Sequence, residues 1–236
     1  MIGISYSSSI IGVDAHLVSV QTKISGLIKK FSIIGLPDSI LKEAKDRVRC
    51  AIEQSGFTFP YGDIVVNLSP ATIPKYGSGY DLAIALSILS ANGVIDPALL
   101  SRYLALGELE LDGTIKPVWG GVATASMIKD SGPFTLLANH LTARNAKYIK
   151  EVNVYAVKNL LEAVSFINGT STLEQFSEVD SAGSQNTAEF LDSFRDVIGQ
   201  SSTKRALEIV AAGGHNLLMI GPPGVGKSML AKRVTS

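Results

Sequence analysis

The chain has 236 residues, 46% hydrophobic and 18% charged, so it is long enough to bury a sizeable core and is not disordered throughout. Lysine plus arginine and aspartate plus glutamate each total 21, and the resulting net charge of zero excludes a strongly basic protein that coats nucleic acid, although not a local basic patch. The single cysteine, Cys50, excludes an internal disulfide and a cysteine-based zinc site and favours a reducing compartment.

Residues 1–168 predict strands and helices in alternation. Residues 10–25 alternate apolar and polar side chains, which is typical of a strand or hairpin. Further strands are predicted at residues 31–34, 63–68, 103–111, 114–118, 134–138 and 153–157. Helices are predicted from the cap at Pro37, Asp38 and Ser39 to a stop at Gly56, and over residues 81–91 and 121–130. Together these elements predict an α/β domain with a mixed sheet.

The helix that follows Ser39 carries charged residues on one side. Glu43 and Arg47 are spaced for an ion pair between successive turns, and Lys42 and Asp46 are spaced in the same way. The basic side chains on or near this helix are open to two interpretations, a contact with phosphates or a solvated surface. The interleaved acidic residues favour the solvated surface. The basic residues in question are Lys42, Lys45, Arg47 and Arg49.

Neither an export signal nor a membrane span is expected. The first lysine is Lys23, so the beginning of the chain lacks the basic region of a signal peptide. The most apolar run covers residues 82–95, which is shorter than the roughly 20 residues that a spanning helix needs. The run therefore predicts a buried core helix, and the sequence predicts a soluble, cytoplasmic protein with no membrane partner.

Composition divides the chain into three parts. Residues 169–192 are rich in serine, threonine, asparagine, glutamine and acidic residues, and this composition is typical of a flexible linker. Apolar periodicity then returns, and residues 193–236 predict a second domain with a helix over residues 202–212.

The strongest chemical signal is a phosphate-binding loop of the pattern G-x-x-x-x-G-K-[ST]. Its glycines allow backbone N–H groups to surround phosphate oxygens, its lysine adds a positive charge, and its serine hydroxyl reaches the Mg²⁺ of the bound nucleotide. A buried strand is predicted directly before the loop at residues 217–220, and a helix directly after it at residues 229–233. The sequence therefore predicts ATP and Mg²⁺ as cofactors, with Ser228 contacting the metal. The loop residues are Gly221, Pro222, Pro223, Gly224, Val225, Gly226, Lys227 and Ser228.

Residues 204–233, KRALEIVAAGGHNLLMIGPPGVGKSMLAKR, resemble the start of an AAA+ ATPase module of the magnesium-chelatase-like branch. That resemblance implies an acidic Walker B strand, a polar sensor and an arginine finger in addition to the loop. The sequence stops eight residues after Ser228, and none of these parts is recognisable in it. We therefore expect a fragment of a longer protein, in which residues 194–236 are weakly folded alone and hydrolyse no ATP.

Residues 63–131 resemble the proteolytic domain of the Lon family, which implies a fold like that of domain 2 of ribosomal protein S5. The motif PKYGSGYD, residues 74–81, aligns Gly79 with the nucleophilic serine of that family, and the later motif aligns Val122 with its catalytic lysine. Both catalytic groups are absent. Ser78 lies one residue out of register, and its possible bases by sequence are Lys75, Lys116 and Lys129. The chain is therefore not expected to be a protease.

A Lon-like domain, a linker and a magnesium-chelatase-type AAA+ start together resemble the ComM/YifB family. The signatures are residues 35–52, 63–89 and 106–120 and the phosphate-binding loop. The resemblance implies an ATP-driven hexameric ring that acts on DNA, in branch migration or helicase activity during natural transformation or recombination. It also divides the chain into a non-proteolytic Lon-like domain (1–168), a linker (169–192) and an incomplete AAA+ domain (193–236).

The sequence leaves two other functions open. One is a magnesium-chelatase-type motor subunit, which uses the same ATPase branch. The other is a non-enzymatic docking or assembly domain that carries an idle phosphate-binding loop. A third, the Ser–Lys peptidase, would need a serine at Gly79 and a lysine near Val122, and the sequence has neither.

Overall fold

A computed structural model describes residues 2–176 and 197–234, and the chain divides into two compact units, Met1–Glu178 and Val179–Ser236. The predicted linker lies outside the described residues from 177 onward. Its first part, residues 169–176, belongs to the first unit, where Leu173 and Phe176 pack against buried apolar side chains. The backbone N–H of Phe176 donates to the carbonyl of Val154 at 2.8 Å.

The first unit contains a seven-stranded sheet and a two-stranded sheet. The strands in chain order are β1 (Ile2–Ile11), β2 (Asp14–Ser25), β3 (Lys30–Ile34), β4 (Asp63–Ser69), β5 (Tyr103–Leu106), β6 (Glu108–Leu109), β7 (Ile115–Lys116), β8 (Thr135–Ala138) and β9 (Val154–Ala156). Its helices are α1 (Ser39–Gln54), α2 (Asp81–Ala91), α3 (Pro97–Leu100), α4 (Gly121–Ser131), α5 (His140–Ala146) and α6 (Leu160–Ile167).

The large sheet has the order β3-β4-β2-β1-β5-β8-β9 and mixes parallel and antiparallel pairs. The β1–β2 pair is an antiparallel hairpin, which confirms the prediction for residues 10–25, and β2 pairs antiparallel with β4. The pairs β3–β4, β1–β5, β5–β8 and β8–β9 are parallel. The structure therefore confirms the predicted mixed α/β fold.

The sequence pattern missed the first part of β1, which begins at Ile2. The inward face of this strand carries Gly3, Ser5 and Ser7 rather than large apolar residues. Small residues are needed because α2 lies directly on the strand: the Ser5 hydroxyl donates to the carbonyl of Ala83 at 2.7 Å. A Cβ atom at Gly3 would lie 2.0 Å from the carbonyl oxygen of Ser87. The small polar residues of this strand show no apolar alternation, so the sequence pattern did not reveal that one face of the strand is buried.

Helices α1 and α2 confirm their predictions closely. Asp38 caps α1 by accepting a hydrogen bond from the N–H of Leu41 at 2.7 Å, and Gly56 follows its end in the left-handed conformation. Every residue of α2 is buried, so the most apolar run of the sequence is the central core helix, as predicted.

The predicted strand at residues 103–111 is wrong in its continuity. Gly107 interrupts it, because its N–H donates to the carbonyl of Gly79 and its own carbonyl accepts from the N–H of Leu82. A Cβ at this position would lie 2.6 Å from the Ile115 side chain. The chain therefore turns from β5 into the short β6–β7 ribbon, with the predicted turn at Asp112 and Gly113 between the two strands.

In the second unit the described residues form two helices, α7 (Ser201–Gly213) and α8 (Lys227–Lys232), which confirm the two predicted helical regions. The buried strand predicted at residues 217–220 is wrong. These residues pair with no strand among the described residues of the unit, and Leu218 and Ile220 are 81% and 88% exposed. A strand is held by hydrogen bonds to a neighbour, and an apolar run without that neighbour stays irregular.

Among the described residues, no helix has both the length and the apolar character needed to cross a bilayer.

Candidate functional site: the phosphate-binding loop and the protease-like turn

The turn at residues 221–226 places two glycines in a conformation that other residues rarely adopt. Gly224 has a φ of +85° and Gly226 a φ of +87°, both in the left-handed region. Helix α8 begins at the next residue, Lys227, so the loop delivers the chain directly into a helix N-terminus. The structure therefore forms the loop and the helix start of the sequence motif, but not the strand that normally precedes them.

The loop leaves several hydrogen-bond donors open. The backbone N–H groups of Gly226, Lys227 and Ser228 have no acceptor among the described residues, because they form the first turn of α8. The Lys227 ammonium lies over the loop, where it donates to the carbonyls of Gly221 and Pro222, each at 2.7 Å. Open N–H groups and a cation at one turn attract a phosphate anion.

Gln200 is a loop contact that sequence reasoning missed. It precedes α7, and its side-chain amide donates to the carbonyl of Val225 at 3.2 Å, across 25 residues of sequence. Gln200, Leu217, Ile220 and Lys227 are among the residues that line an open groove of about 440 Å³ beside the loop. No local motif signals such a contact, since glutamine is common at exposed positions.

The donor set of the loop fits the phosphates of a nucleotide, and it fits a metal only through that nucleotide. Ser228 is exposed at the start of α8 and offers one hydroxyl. The described part of the chain contains no cluster of three or more histidine, cysteine, aspartate or glutamate side chains able to hold a metal ion. Mg²⁺ bound here would take its other ligands from phosphate oxygens and water.

The protease-like turn of the first unit does not form a Ser–Lys pair. The Ser78 hydroxyl donates to the carboxylate of Glu108. Lys75, the nearest candidate base in sequence, is fully buried, and its ammonium donates to the carbonyls of Leu68 and Pro70. Lys116 and Lys129 are held in ion pairs with Glu110 at 3.0 Å and Glu151 at 3.5 Å. Each of the three candidate lysines is therefore engaged elsewhere.

The positions aligned with the missing catalytic groups lie in ordinary packing. A Cβ at Gly79 would lie 3.6 Å from the Leu106 side chain, so the position has room for a small residue. Val122, in the first turn of α4, is 44% exposed. Burial without a compensating anion lowers the pKa of Lys75, but its ammonium faces backbone carbonyls and not Ser78.

A partly buried ion pair beside this turn corrects the expectation that Arg47 lies on a solvated face. The Arg47 guanidinium donates to both carboxylate oxygens of Asp81, at 2.8 and 3.2 Å, and not to Glu43. Asp81 is completely buried at the start of α2 and also accepts from the N–H of Leu109 at 3.3 Å. The contact ties α1 to α2 and β6, a role for Asp81 beyond the favourable helix start that its position predicts.

Burial dominates the electrostatics of the pair. It raises the pKa of Asp81 to about 6, while the hydrogen bond from Arg47 acts in the opposite direction. The hydrogen bond to Asp81 raises the pKa of Arg47. Burial likewise raises the pKa of the neighbouring Tyr80 to about 12. Asp81 thus carries its charge at pH 7 in an environment that disfavours charge, and it depends on Arg47 for compensation.

Two family profiles match the chain. The family described as Subunit ChlI of Mg-chelatase matches residues 20–139, and the family described as Magnesium chelatase, subunit ChlI, matches residues 193–236. The first match lies within the first unit, and the second covers the phosphate-binding loop.

Curated relatives match almost the whole chain. Uncharacterized protein YifB of Salmonella typhimurium is 39% identical over 234 residues, which is 99% of this chain and 45% of the relative. Competence protein ComM of Haemophilus influenzae is 39% identical over 236 residues, 99% of this chain and 46% of the relative. Uncharacterized protein YifB of Escherichia coli is 37% identical over 233 residues. The chain spans about half the length of these relatives.

Proposed function

Because the chain belongs to the family of the magnesium-chelatase subunit ChlI and is of the ComM/YifB type, we propose that it binds ATP with Mg²⁺ through residues 221–228. The proposal extends to a role as the N-terminal part of an AAA+ motor that remodels DNA.

The observation that carries the proposal is the phosphate-binding turn. Its open N–H groups at Gly226, Lys227 and Ser228 and the Lys227 ammonium converge where a glycine-rich loop meets a helix. Lys227 would exchange its two loop carbonyls for phosphate oxygens, which are stronger acceptors because they are charged. The Ser228 hydroxyl oxygen would coordinate the magnesium of the nucleotide. Bound ATP supplies the phosphoryl group whose transfer drives motors of this class.

The motor role rests on the relatives. One relative carries the name Competence protein ComM, and the family resemblance implies a hexameric ring that migrates DNA branches or unwinds duplexes. We expect this ring to act in the cytoplasm, because the sequence carries no recognisable export signal. Walker B, sensor and arginine-finger residues are not recognisable in this sequence, so we expect residues 1–236 to bind ATP without hydrolysing it.

A magnesium-chelatase-type motor is the second candidate, since both matching family profiles are described by that subunit. Relatives named YifB and ComM match 99% of the chain, including the first unit, and these matches favour the ComM-type role. If ATP does not bind, the remaining alternative is a non-enzymatic docking or assembly domain with an idle phosphate-binding loop.

The direct test is titration of the 236-residue chain with a fluorescent ATP analogue and Mg²⁺. Replacing Lys227 by alanine removes a charge-assisted contact, and we expect binding to weaken roughly 10- to 100-fold. Arg205→Ala is the matched control, because Arg205 is an exposed cation on α7 that pairs with Glu208. If the Lys227→Ala variant and the wild-type chain bound the analogue with equal affinity, the proposed ATP site would be wrong.

A further inference from the structure

The first unit exposes the only tryptophan of the chain almost completely. Trp119 is 97% exposed, directly before the start of α4. Tryptophan is highly buried on average in folded proteins, so an indole held in solvent is an informative exception. It does not contribute to the core of the first unit, and neither the phosphate-binding loop nor the protease-like turn uses it.

The backbone on both sides of Trp119 is fixed to helix α5. The Thr142 hydroxyl is hydrogen-bonded to both the N–H and the carbonyl of Val118, at 3.0 Å each. On the other side, Gly121 lies so close to α5 that a Cβ there would be 2.7 Å from the Thr142 carbonyl oxygen. The exposed indole is therefore presented from a rigid position beside α5.

Helix α5 and the turn after it carry uncompensated positive charge. Arg144 and Lys150 are exposed and Lys147 is half-buried, and none of them forms an ion pair with a described residue. Residues 139–150 contain no aspartate or glutamate. The next acidic residue, Glu151, is already paired with Lys129 at 3.5 Å. A chain of zero net charge thus concentrates cations at one place.

A second exposed aromatic ring lies among these cations. Tyr148 is 75% exposed, in the turn that its N–H closes with the carbonyl of Asn145. It lies two residues beyond the end of α5. The basic aromatic face is defined as Trp119, Arg144, Lys147, Tyr148 and Lys150. It comprises two exposed rings and three cations carried by α5, by the turn after it and by the segment that is fixed to α5 through Thr142.

We propose that the basic aromatic face binds single-stranded nucleic acid, with bases stacking on Trp119 and Tyr148 and phosphates contacting Arg144, Lys147 and Lys150. Exposed rings interleaved with cations are the elements of sequence-tolerant single-strand binding. Unpaired bases present π-faces to the rings, whereas the stacked bases of a duplex do not. The inference deepens the proposed DNA-remodelling function by assigning its single-strand contact to the first unit, but it does not depend on ATP.

The test uses the 236-residue chain without nucleotide and the fluorescence of its single tryptophan. Titration with a 20-nucleotide deoxythymidine strand at low salt should quench Trp119 emission, and the affinity should fall with salt at a logarithmic slope of about −2 for three phosphate contacts. Tyr148→Ala should weaken binding roughly tenfold, as should Trp119→Ala measured with a labelled strand. A uridine strand of equal length distinguishes DNA from RNA, and quenching by either supports the proposal.

The charge requirement has a matched control. The double variant Arg144→Glu/Lys150→Glu and the double variant Lys29→Glu/Lys30→Glu change the net charge equally. Lys29 and Lys30 are exposed at the β3 edge of the sheet, whereas α5 packs beside β8 and β9 at the other end. Only the first variant should lose affinity, by tenfold or more.

The proposal would be overturned if neither strand quenched the emission, if both charge variants lost affinity equally, or if quenching required a duplex. A shift of Trp119 emission with protein concentration alone would also overturn it, since the face would then be a contact between copies of the chain. The Lys227→Ala variant should bind the strand normally. If the chain does not bind ATP, the proposed function is wrong but this inference stands. If the chain binds ATP but not the strand, this inference is wrong but the proposed ATP site stands.

Discussion

Apolar runs in the two units of this chain differ in burial and in secondary structure. In the first unit, residues 81–91 form a helix whose every residue is buried between the sheet and neighbouring helices. In the second unit, the apolar run at residues 217–220 forms no strand, and Leu218 is 81% exposed. The described part of that unit buries only Val197, Leu207 and Leu230 as apolar core. An apolar run becomes a regular core element only where neighbours cover it.

The contrast predicts where stability resides. The first unit should unfold cooperatively, while the second should open at low free energy because few buried contacts hold it.

Leu86→Ala should destabilise the first unit most. Leu86 is fully buried in α2, and removing its side-chain carbons from a core leaves a cavity, so we expect a loss of about 3 kcal/mol in the free energy of unfolding. Urea unfolding followed by far-UV circular dichroism measures it. A loss below about 1 kcal/mol would mean that α2 is not the central core helix.

The Asp81–Arg47 pair should make the stability of the first unit depend on pH. Because burial raises the pKa of Asp81 from 3.8 to about 6, the folded chain binds this proton more tightly than the unfolded chain between about pH 4 and 6. The stabilisation from this group is therefore complete below about pH 4 and is lost as the pH rises through 6. Relative to Asp81→Asn, the wild-type chain should gain roughly 2 kcal/mol in unfolding free energy from pH 7 to pH 4. A constant difference between the two would contradict the raised pKa.

Asp38→Ala should cost about 1 to 2 kcal/mol, since the carboxylate both caps α1 and accepts a second hydrogen bond from the N–H of Gly77 at 2.9 Å. Asp96→Ala is the matched control. Asp96 caps the four-residue α3 through a single bond to the N–H of Ala98, and its loss should be smaller. Thermal unfolding of both variants gives the comparison, and equal losses would show that the bond to Gly77 contributes nothing.

Leu218→Ala should have the smallest effect, within about 0.5 kcal/mol, because the side chain is already exposed. The unfolding curve of the chain should superimpose on that of the wild type. A loss comparable to that of Leu86→Ala would show that residues 217–220 are buried in solution, and the contrast between the two units would fail.

Local sequence patterns predicted many elements of the first unit. The cap at Asp38 and the apolar period of the following residues predicted α1, and the long apolar run predicted α2 with its observed bounds. The serine-rich inner face of β1 escaped prediction because close approach of α2, rather than hydrophobicity, selects its residues. The break at Gly107 escaped prediction for a related reason, since its cause is hydrogen bonding to Gly79 and Leu82, which are distant in sequence, and not a local turn motif.

The candidate sites divide in the same way. The phosphate-binding loop is contiguous, so its pattern and glycine conformations follow from residues 221–228 alone. The Arg47–Asp81 pair joins residues 34 positions apart, and the Ser78–Glu108 contact joins residues 30 apart. Local spacing suggested Glu43 as the partner of Arg47, but the fold brings the buried Asp81 to the same guanidinium. Long-range polar pairs of this kind depend on topology, which local patterns do not encode.

Hydrogen–deuterium exchange of the 236-residue chain, with and without ATP and Mg²⁺, tests the central claim most directly. The account predicts slow exchange across α2 under both conditions. It also predicts rapid exchange over residues 217–230 that becomes markedly slower when ATP and Mg²⁺ are added. The account would be contradicted if residues 217–230 exchanged as slowly as α2 without nucleotide, or if ATP did not change their exchange.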